Sequence, residues 1–291
     1  MTEHHAWMPS SPCGDECVDG QRPVGNATVA VRATAVAALL ASFPVVNYAT
    51  PTGWRDGVQR RYAEALLRTL GMKLRIVDNR GTGKREYSDS GVLIVAGHVG
   101  WTDILALASV QPLAFVARAD LVSWPLLGKL AKLMRTIPIE RASLRQLPDV
   151  VDEIATRIAA GERIAAFPEG TTWCGRAYGG LRPAMFQAAI DAGVPVQPVQ
   201  VRYLGPDGLQ STFPSFIGTE SMGQSVLRML RGRATVIEVV LAPAELPGTD
   251  RRELAARCER AVRGDIVLDF ADHGVLEVPA EPAERVVARI A

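Results

Sequence analysis

Cysteine is scarce in this chain, with four residues in 291. That excludes a disulfide-built scaffold and points to reduced thiols in a cytosolic setting. Cys13 and Cys17 have the spacing of half a metal site, with His4 and His5 nearby. A structural zinc ion wants four well-spaced ligands, so no metal is expected. Net charge is scarce too: 32 Lys and Arg stand against 31 Asp and Glu, for a balance of +1. The chain therefore lacks the basic footprint of a general nucleic-acid binder, and no nucleic-acid partner is expected. The first residues lack the basic start and apolar centre of a secretory signal. No charge-free apolar run of about 18 residues marks a clear membrane span. A mean hydropathy of +0.10 is nevertheless high for a wholly water-soluble enzyme, which suggests contact with a membrane surface.

With 48% hydrophobic residues and balanced charge, the chain is long enough for a substantial buried core. Residues 1–25 contain Pro9, Pro12, Gly14, Gly20 and Pro23 without apolar periodicity, and read as a flexible tail. Residues 26–72 read as a helical, membrane-associating segment. Its apolar part, residues 27–46, is interrupted by Arg32 and Pro44. Burying Arg32 in a bilayer would cost a few kcal/mol, so an interfacial or shallowly inserted helix fits better than a span, with an ordinary buried helix as the competing reading. Residues 54–85 then carry nine Lys or Arg against three acids, the excess that an anionic cytoplasmic leaflet attracts. The last stretch, residues 265–291, has six acids and two arginines and reads as an acidic C-terminal extension.

Between these ends, residues 73–264 alternate short β-rich runs with helical patterns. Strands are predicted at 73–77, 92–96, 113–117, 136–139, 163–167, 194–202 and 234–241. Val150, Val151, Ile154 and Ile158 share one helical face, and Gly161 is placed to end that helix. The alternation predicts an α/β domain with a mostly parallel central sheet flanked by helices. In such a fold ligands belong at the carboxyl ends of strands.

Two strand ends carry chemistry. Gly97-His98-Val99-Gly100-Trp101-Thr102-Asp103 follows the strand at 92–96. An imidazole there can take a proton from a hydroxyl, and a carboxylate can fix its tautomer, provided His98 sits in the turn and Asp103 in the first helical turn. Phe167-Pro168-Glu169-Gly170-Thr171-Thr172 ends the strand at 163–167 and offers a tight turn with hydroxyls, a candidate cradle for a phosphate or an alcohol; the competing reading is a plain turn with Glu169 in solvent. Lys129, Lys132 and Arg135 repeat at threes on a short basic amphipathic helix, and Arg141 closes the next strand, where it either forks onto a phosphate or pairs with a nearby acid. Gly81-Thr82-Gly83-Lys84 is not a nucleotide loop, because Asp78 and Arg85 stand where a P-loop needs Gly and Ser or Thr.

These blocks, with Val194-Pro195-Val196-Gln197-Pro198-Val199, resemble in order the four motifs of the glycerolipid O-acyltransferases, the 1-acylglycerol-3-phosphate acyltransferase (PlsC-like) family. The resemblance covers about residues 55–205. It implies acyl transfer from a thioester, acyl-CoA or acyl carrier protein, to a lysophospholipid hydroxyl at the cytoplasmic face of a membrane, by a peripheral or monotopic enzyme. His98 would be the base and Asp103 its orienting partner. Arg141 would anchor a phosphate, and Glu169, Gly170, Thr171 and Thr172 would contribute to the acceptor site. A thioester is already activated, so no metal or further cofactor is expected. Three positions depart from the family pattern: Gly97 replaces an Asn, Gly100 a Ser, and Thr172 an Arg. The last weakens the case for lysophosphatidic acid unless Arg176 or Arg182 compensates, and makes lyso-ornithine lipid the alternative acceptor. An inactive lipid-binding scaffold is the reading from another class. A thioester hydrolase is a third, without a Gly-x-Ser-x-Gly elbow to support it.

Overall fold

Aliphatic and β-branched runs collapse into a seven-stranded sheet in a computed structural model that describes residues 9–81, 91–120, 125–140 and 143–264. Its strands are β1 (Met72–Asp78), β2 (Val92–Ala96), β3 (Ala114–Arg118), β4 (Ile137–Ile139), β5 (Arg163–Ala166), β6 (Val196–Leu204) and β7 (Thr235–Leu241). They lie in the order β1-β7-β6-β2-β5-β3-β4, and every neighbouring pair is parallel except β6 with β7. The expected mostly parallel α/β sheet is therefore present. β6 begins two residues later than its sequence suggests. Gly193 turns left-handed (φ 65°) and the Val194 amide still bonds to Ala189, so the chain is not free to pair until Val196.

Helices α1 (Asn26–Ala49), α2 (Thr52–Thr69), α3 (Thr102–Val110), α4 (Pro125–Leu133), α5 (Leu147–Ala159), α6 (Phe186–Ala192), α7 (Met222–Arg231) and α8 (Arg251–Arg263) flank the sheet. Alternation along each strand divides the core into two layers. Ile94, Ala96, Val199, Val201 and Ile237 face the layer that includes residues of α2, α3 and α7, while Leu93, Val95, Ile164 and Val196 face that of α5, α6 and α8. Full burial of Leu93 and Ile94 contributes about 1.5–3 kcal/mol each. The stripe of Val150, Val151, Ile154 and Ile158 on α5 is buried, and Gly161 ends that helix at φ 92°.

α1 and α2 form an antiparallel hairpin closed at Thr50-Pro51. Ser42 bonds to Tyr62 (3.1 Å), Gln59 to Asn47 (3.2 Å), and the Phe43 and Tyr62 rings stand 5.1 Å apart. Val29 and Val36 touch the core, yet only 6% of the apolar window of α1 is buried. That excludes an ordinary buried core helix. At about 1.5 Å per residue the 24-residue helix is long enough, and apolar enough, to cross a membrane. Pro44 sits inside it without ending it. Arg32, the residue that argued against a span, donates to the carbonyls of Leu230 (3.0 Å) and Gly232 (2.7 Å) and faces the domain rather than lipid.

The segment 9–25, expected as a flexible tail, lies against the domain. Cys13 is buried, the Asp19 carboxylate accepts from Arg176 (2.9 Å) and from the Thr212 amide (2.9 Å), and the Val24 amide bonds to Arg231. Its apolar and acidic residues find partners that are distant in sequence, which composition alone does not reveal. Residues 1–8 and 265–291 lie outside the described structure.

Candidate active site

β2 and β5 are parallel neighbours, so their carboxyl ends set the turn holding His98 beside the turn at residues 167–172. In the first turn of α3, Asp103 folds back over residues 98–100. Its Oδ2 accepts from His98 Nδ1 (2.9 Å), from the Val99 amide (2.7 Å) and from the Gly100 amide (2.9 Å). Its Oδ1 accepts from the Tyr203 hydroxyl, which in turn bonds to Thr102 (2.7 Å). Asp103 is fully buried, and these donors satisfy the charge that burial would otherwise penalise. A carboxylate at Nδ1 keeps the proton on that nitrogen and leaves Nε2 as the acceptor. Burial, reinforced by the Asp103 charge, raises the Tyr203 phenol well above its usual range, so Tyr203 remains a donor.

The imidazole is clamped on its other sides. Phe167 leaves β5 and stacks on the ring with centroids 4.1 Å apart. The backbone of His98 donates to Glu169 Oε2 (2.7 Å), and its carbonyl accepts from the Trp173 amide (2.8 Å). Glu169 is buried, and desolvation pushes its carboxyl up to about 8 from 4.5, although the His98 amide works against that shift. At neutral pH it is therefore largely a neutral acid under the His98 turn, not a carboxylate in solvent.

A cavity of about 280 Å³ opens beside the imidazole. Apolar groups from Trp101, Ile104, Val116, Ile139, Phe167, Met185, Phe216 and Met222 contribute to its wall. His98, Gly170, Thr171, Thr172, Arg118, Glu140, Ser143 and Arg182 are among the polar or backbone-exposing positions on it. Its size lies just below the usual range of about 300–1,000 Å³ for small-molecule sites. Of the expected site residues, His98, Gly170, Thr171 and Thr172 meet at this cavity, and Asp103 supports the histidine from behind. Glu169 is not part of the cavity wall. Arg141 lies outside the described residues.

Two of the three departures from the motif have physical reasons, while nothing around Gly97 crowds a Cβ there. A Cβ on Gly100 would stand 2.8 Å from the Pro214 carbonyl oxygen, so a serine does not fit without backbone movement. The Thr172 hydroxyl donates to the Phe216 carbonyl and ties the turn to the opposite wall. Of the two compensating arginines proposed from sequence, Arg182 lines the cavity, whereas Arg176 pairs with Asp19 instead. Sequence reading missed Tyr203, which looks like one more core residue in an apolar strand. It also missed Arg118, which pairs with Asp120 (2.6 Å) at the end of β3, and Pro9 at the cavity rim. The Val-Pro-x-x-Pro block begins β6 and contributes to the sheet, not to the cavity wall.

The family model described as Acyltransferase matches residues 78–202. A lyso-ornithine lipid O-acyltransferase of Pseudomonas aeruginosa is 37% identical over 59% of this chain and 66% of its own length. A 1-acyl-sn-glycerol-3-phosphate acyltransferase of Neisseria meningitidis serogroup B is 33% identical over 64% of this chain and 73% of its own length. The crystal structure of the 1-acyl-sn-glycerophosphate acyltransferase PlsC from Thermotoga maritima superposes with a TM-score of 0.57 at 17% identity, covering 82% of this chain and 93% of that one. That likeness concerns the fold. Together with the extent of the relatives' matches, the His98–Asp103 pair set at the end of β2 places the chain in the acyltransferase family.

Proposed function

We propose that this enzyme acylates the free hydroxyl of a lysophospholipid, with 1-acylglycerol-3-phosphate as acceptor and acyl-CoA or acyl carrier protein as donor. The observation that carries the reading is a histidine held by Asp103 at Nδ1 on the wall of a mostly apolar cavity. His98 Nε2 takes the proton of the acceptor hydroxyl as that oxygen attacks the thioester carbonyl. The C–S bond then breaks, and the proton passes to the departing thiolate. The products are the ester and the free thiol, with no covalent enzyme intermediate. Arg118 and Arg182 at the cavity edge support an anionic headgroup there, with Gly170, Thr171 and Thr172 bordering the same space. Arg141 keeps its expected role as a phosphate anchor.

Lyso-ornithine lipid is the second acceptor. Glu140 shares the cavity edge with the two arginines, which suits a headgroup carrying both an ammonium and a carboxylate, and the Pseudomonas relative bears that name. Assaying the purified protein with radiolabelled acyl-CoA and each lysolipid in turn separates the two. Preference for the phosphate acceptor is expected, and turnover of lyso-ornithine lipid alone would reassign the headgroup.

The α1–α2 hairpin supports a monotopic placement on the cytoplasmic leaflet. α2 returns directly to pack on α3, and Arg32 ties the first turns of α1 to α7, so the start of α1 is held to the domain while its end projects with the hairpin tip. Tyr48 (85% exposed) and Trp54 (76%) flank the turn at the closed tip of the hairpin, where amphipathic rings favour the headgroup layer.

A further inference from the structure

Cys13, Cys17 and Cys174 converge. Their three sulfur atoms lie within 4.8 Å of one another, although Cys174 is far downstream in the chain. Cys13 and Cys174 are buried, and Cys17 is half-buried. Trp173, Ile217 and Val18 surround the group with apolar surface. We propose that this is a structural metal site, a trithiolate knuckle for a zinc ion that staples the N-terminal segment to the loop following the Glu169 turn.

The geometry fits such an ion. Tetrahedral thiolates at about 2.3 Å from zinc stand about 3.8 Å apart, so closure requires shifts of an ångström or less. The Cys13–Cys17 spacing falls within the range of zinc knuckles, and a short 3-10 turn, Asp15–Cys17, curls the second sulfur back toward the first. Gly175 adopts φ 89°, and this lets the Arg176 amide point at Cys174 Sγ (3.4 Å), the kind of outer hydrogen bond that stabilises a metal-bound thiolate. Soft thiolates select zinc over the hard cations. Convergence of three sulfurs, not two, favours an ion over a disulfide, which would use a pair and leave the third aside. Among the described residues the three thiolates converge without a fourth protein ligand, which leaves the last tetrahedral position to solvent.

The site has a mechanical consequence. The Trp173 amide, next to Cys174, holds the His98 carbonyl, and Pro9 borders the acyl cavity four residues before Cys13. The ion therefore braces both the catalytic turn and one rim of the cavity.

The full-length protein, produced in zinc-supplemented medium and dialysed, is expected to retain about one zinc ion per chain by elemental analysis. Replacing that ion with cobalt should give a thiolate-to-metal charge-transfer band. Cys17→Ser, the mildest change because this residue is only half-buried, and Cys174→Ser should both lose the ion and the band. Cys258→Ser, in a separate core layer, should keep them. Circular dichroism confirms that each variant is folded, and chelation of the wild type provides a readout that needs no substitution, through a lowered melting temperature. A wild-type chain without bound zinc or cobalt band, recovery of a Cys13–Cys174 disulfide in place of the metal, or zinc retained undiminished by folded Cys17→Ser would each overturn the proposal.

Discussion

His98 depends on a carboxylate that is itself fully committed. Asp103 accepts from four donors, and each fixes where the imidazole stands. Replacing it with Asn offers an amide N–H to Nδ1, favours the wrong tautomer, and should lower kcat by about 10²-fold or more with little change in KM. Tyr203→Phe removes one donor from that buried charge. It should destabilise the protein by about 1.5–3 kcal/mol in urea unfolding, and a loss indistinguishable from zero would mean that the hydroxyl is not needed there. Glu169 behaves differently. Desolvation raises its carboxyl to about 8, so the folded protein holds a proton that the unfolded chain releases above its ordinary 4.5. Its contribution is complete below about pH 4.5 and is lost as pH rises through about 8. Wild type should therefore lose more unfolding free energy than Glu169→Gln between about pH 6 and pH 8.5; equal losses would contradict the assignment. The sequence made His98, Asp103 and the 167–172 turn legible, because they sit in short motifs at strand ends. Tyr203 was not legible, since an aromatic residue in an apolar strand looks like packing until the far end of its ring is seen against Asp103.

At the level of elements, α1 and α2 carry the membrane argument. Apolar composition identified α1, but its relation to the domain was hidden because Arg32 finds its carbonyl partners at Leu230 and Gly232, far away in the chain. The basic excess that follows is partly spent within the protein: Arg68, Arg75 and Arg80 pair with Glu64, Glu238 and Asp78. Apolar contact at the hairpin tip should then matter more than charge. Substituting Val45 and Tyr48, both exposed, with Glu should reduce co-sedimentation with anionic vesicles by about tenfold while leaving the melting temperature near that of wild type. Unchanged sedimentation would move the membrane contact elsewhere. The seven strands were legible from β-branched runs bounded by turns. Their order was not, because nothing local announces that β7 inserts between β1 and β6.

For the whole molecule, the sheet gathers residues from the ends of β2, β3, β4 and β5 around one cavity, while the two apolar layers hold those strand ends in register. The docking of residues 9–25 was invisible in composition for the same reason as the strand order: its partners stand 193 and 204 residues further along the chain. The turns at the ends of β2 and β5 position one histidine on the wall of a mostly apolar cavity. The most direct test is acyl transfer from radiolabelled acyl-CoA to 1-acylglycerol-3-phosphate in vesicles by wild type and by folded His98→Ala. The account predicts that label appears on the lipid with wild type and that the rate falls by about 10²- to 10⁴-fold in the variant. Undiminished transfer by His98→Ala, or label released only as free fatty acid by wild type, would contradict it.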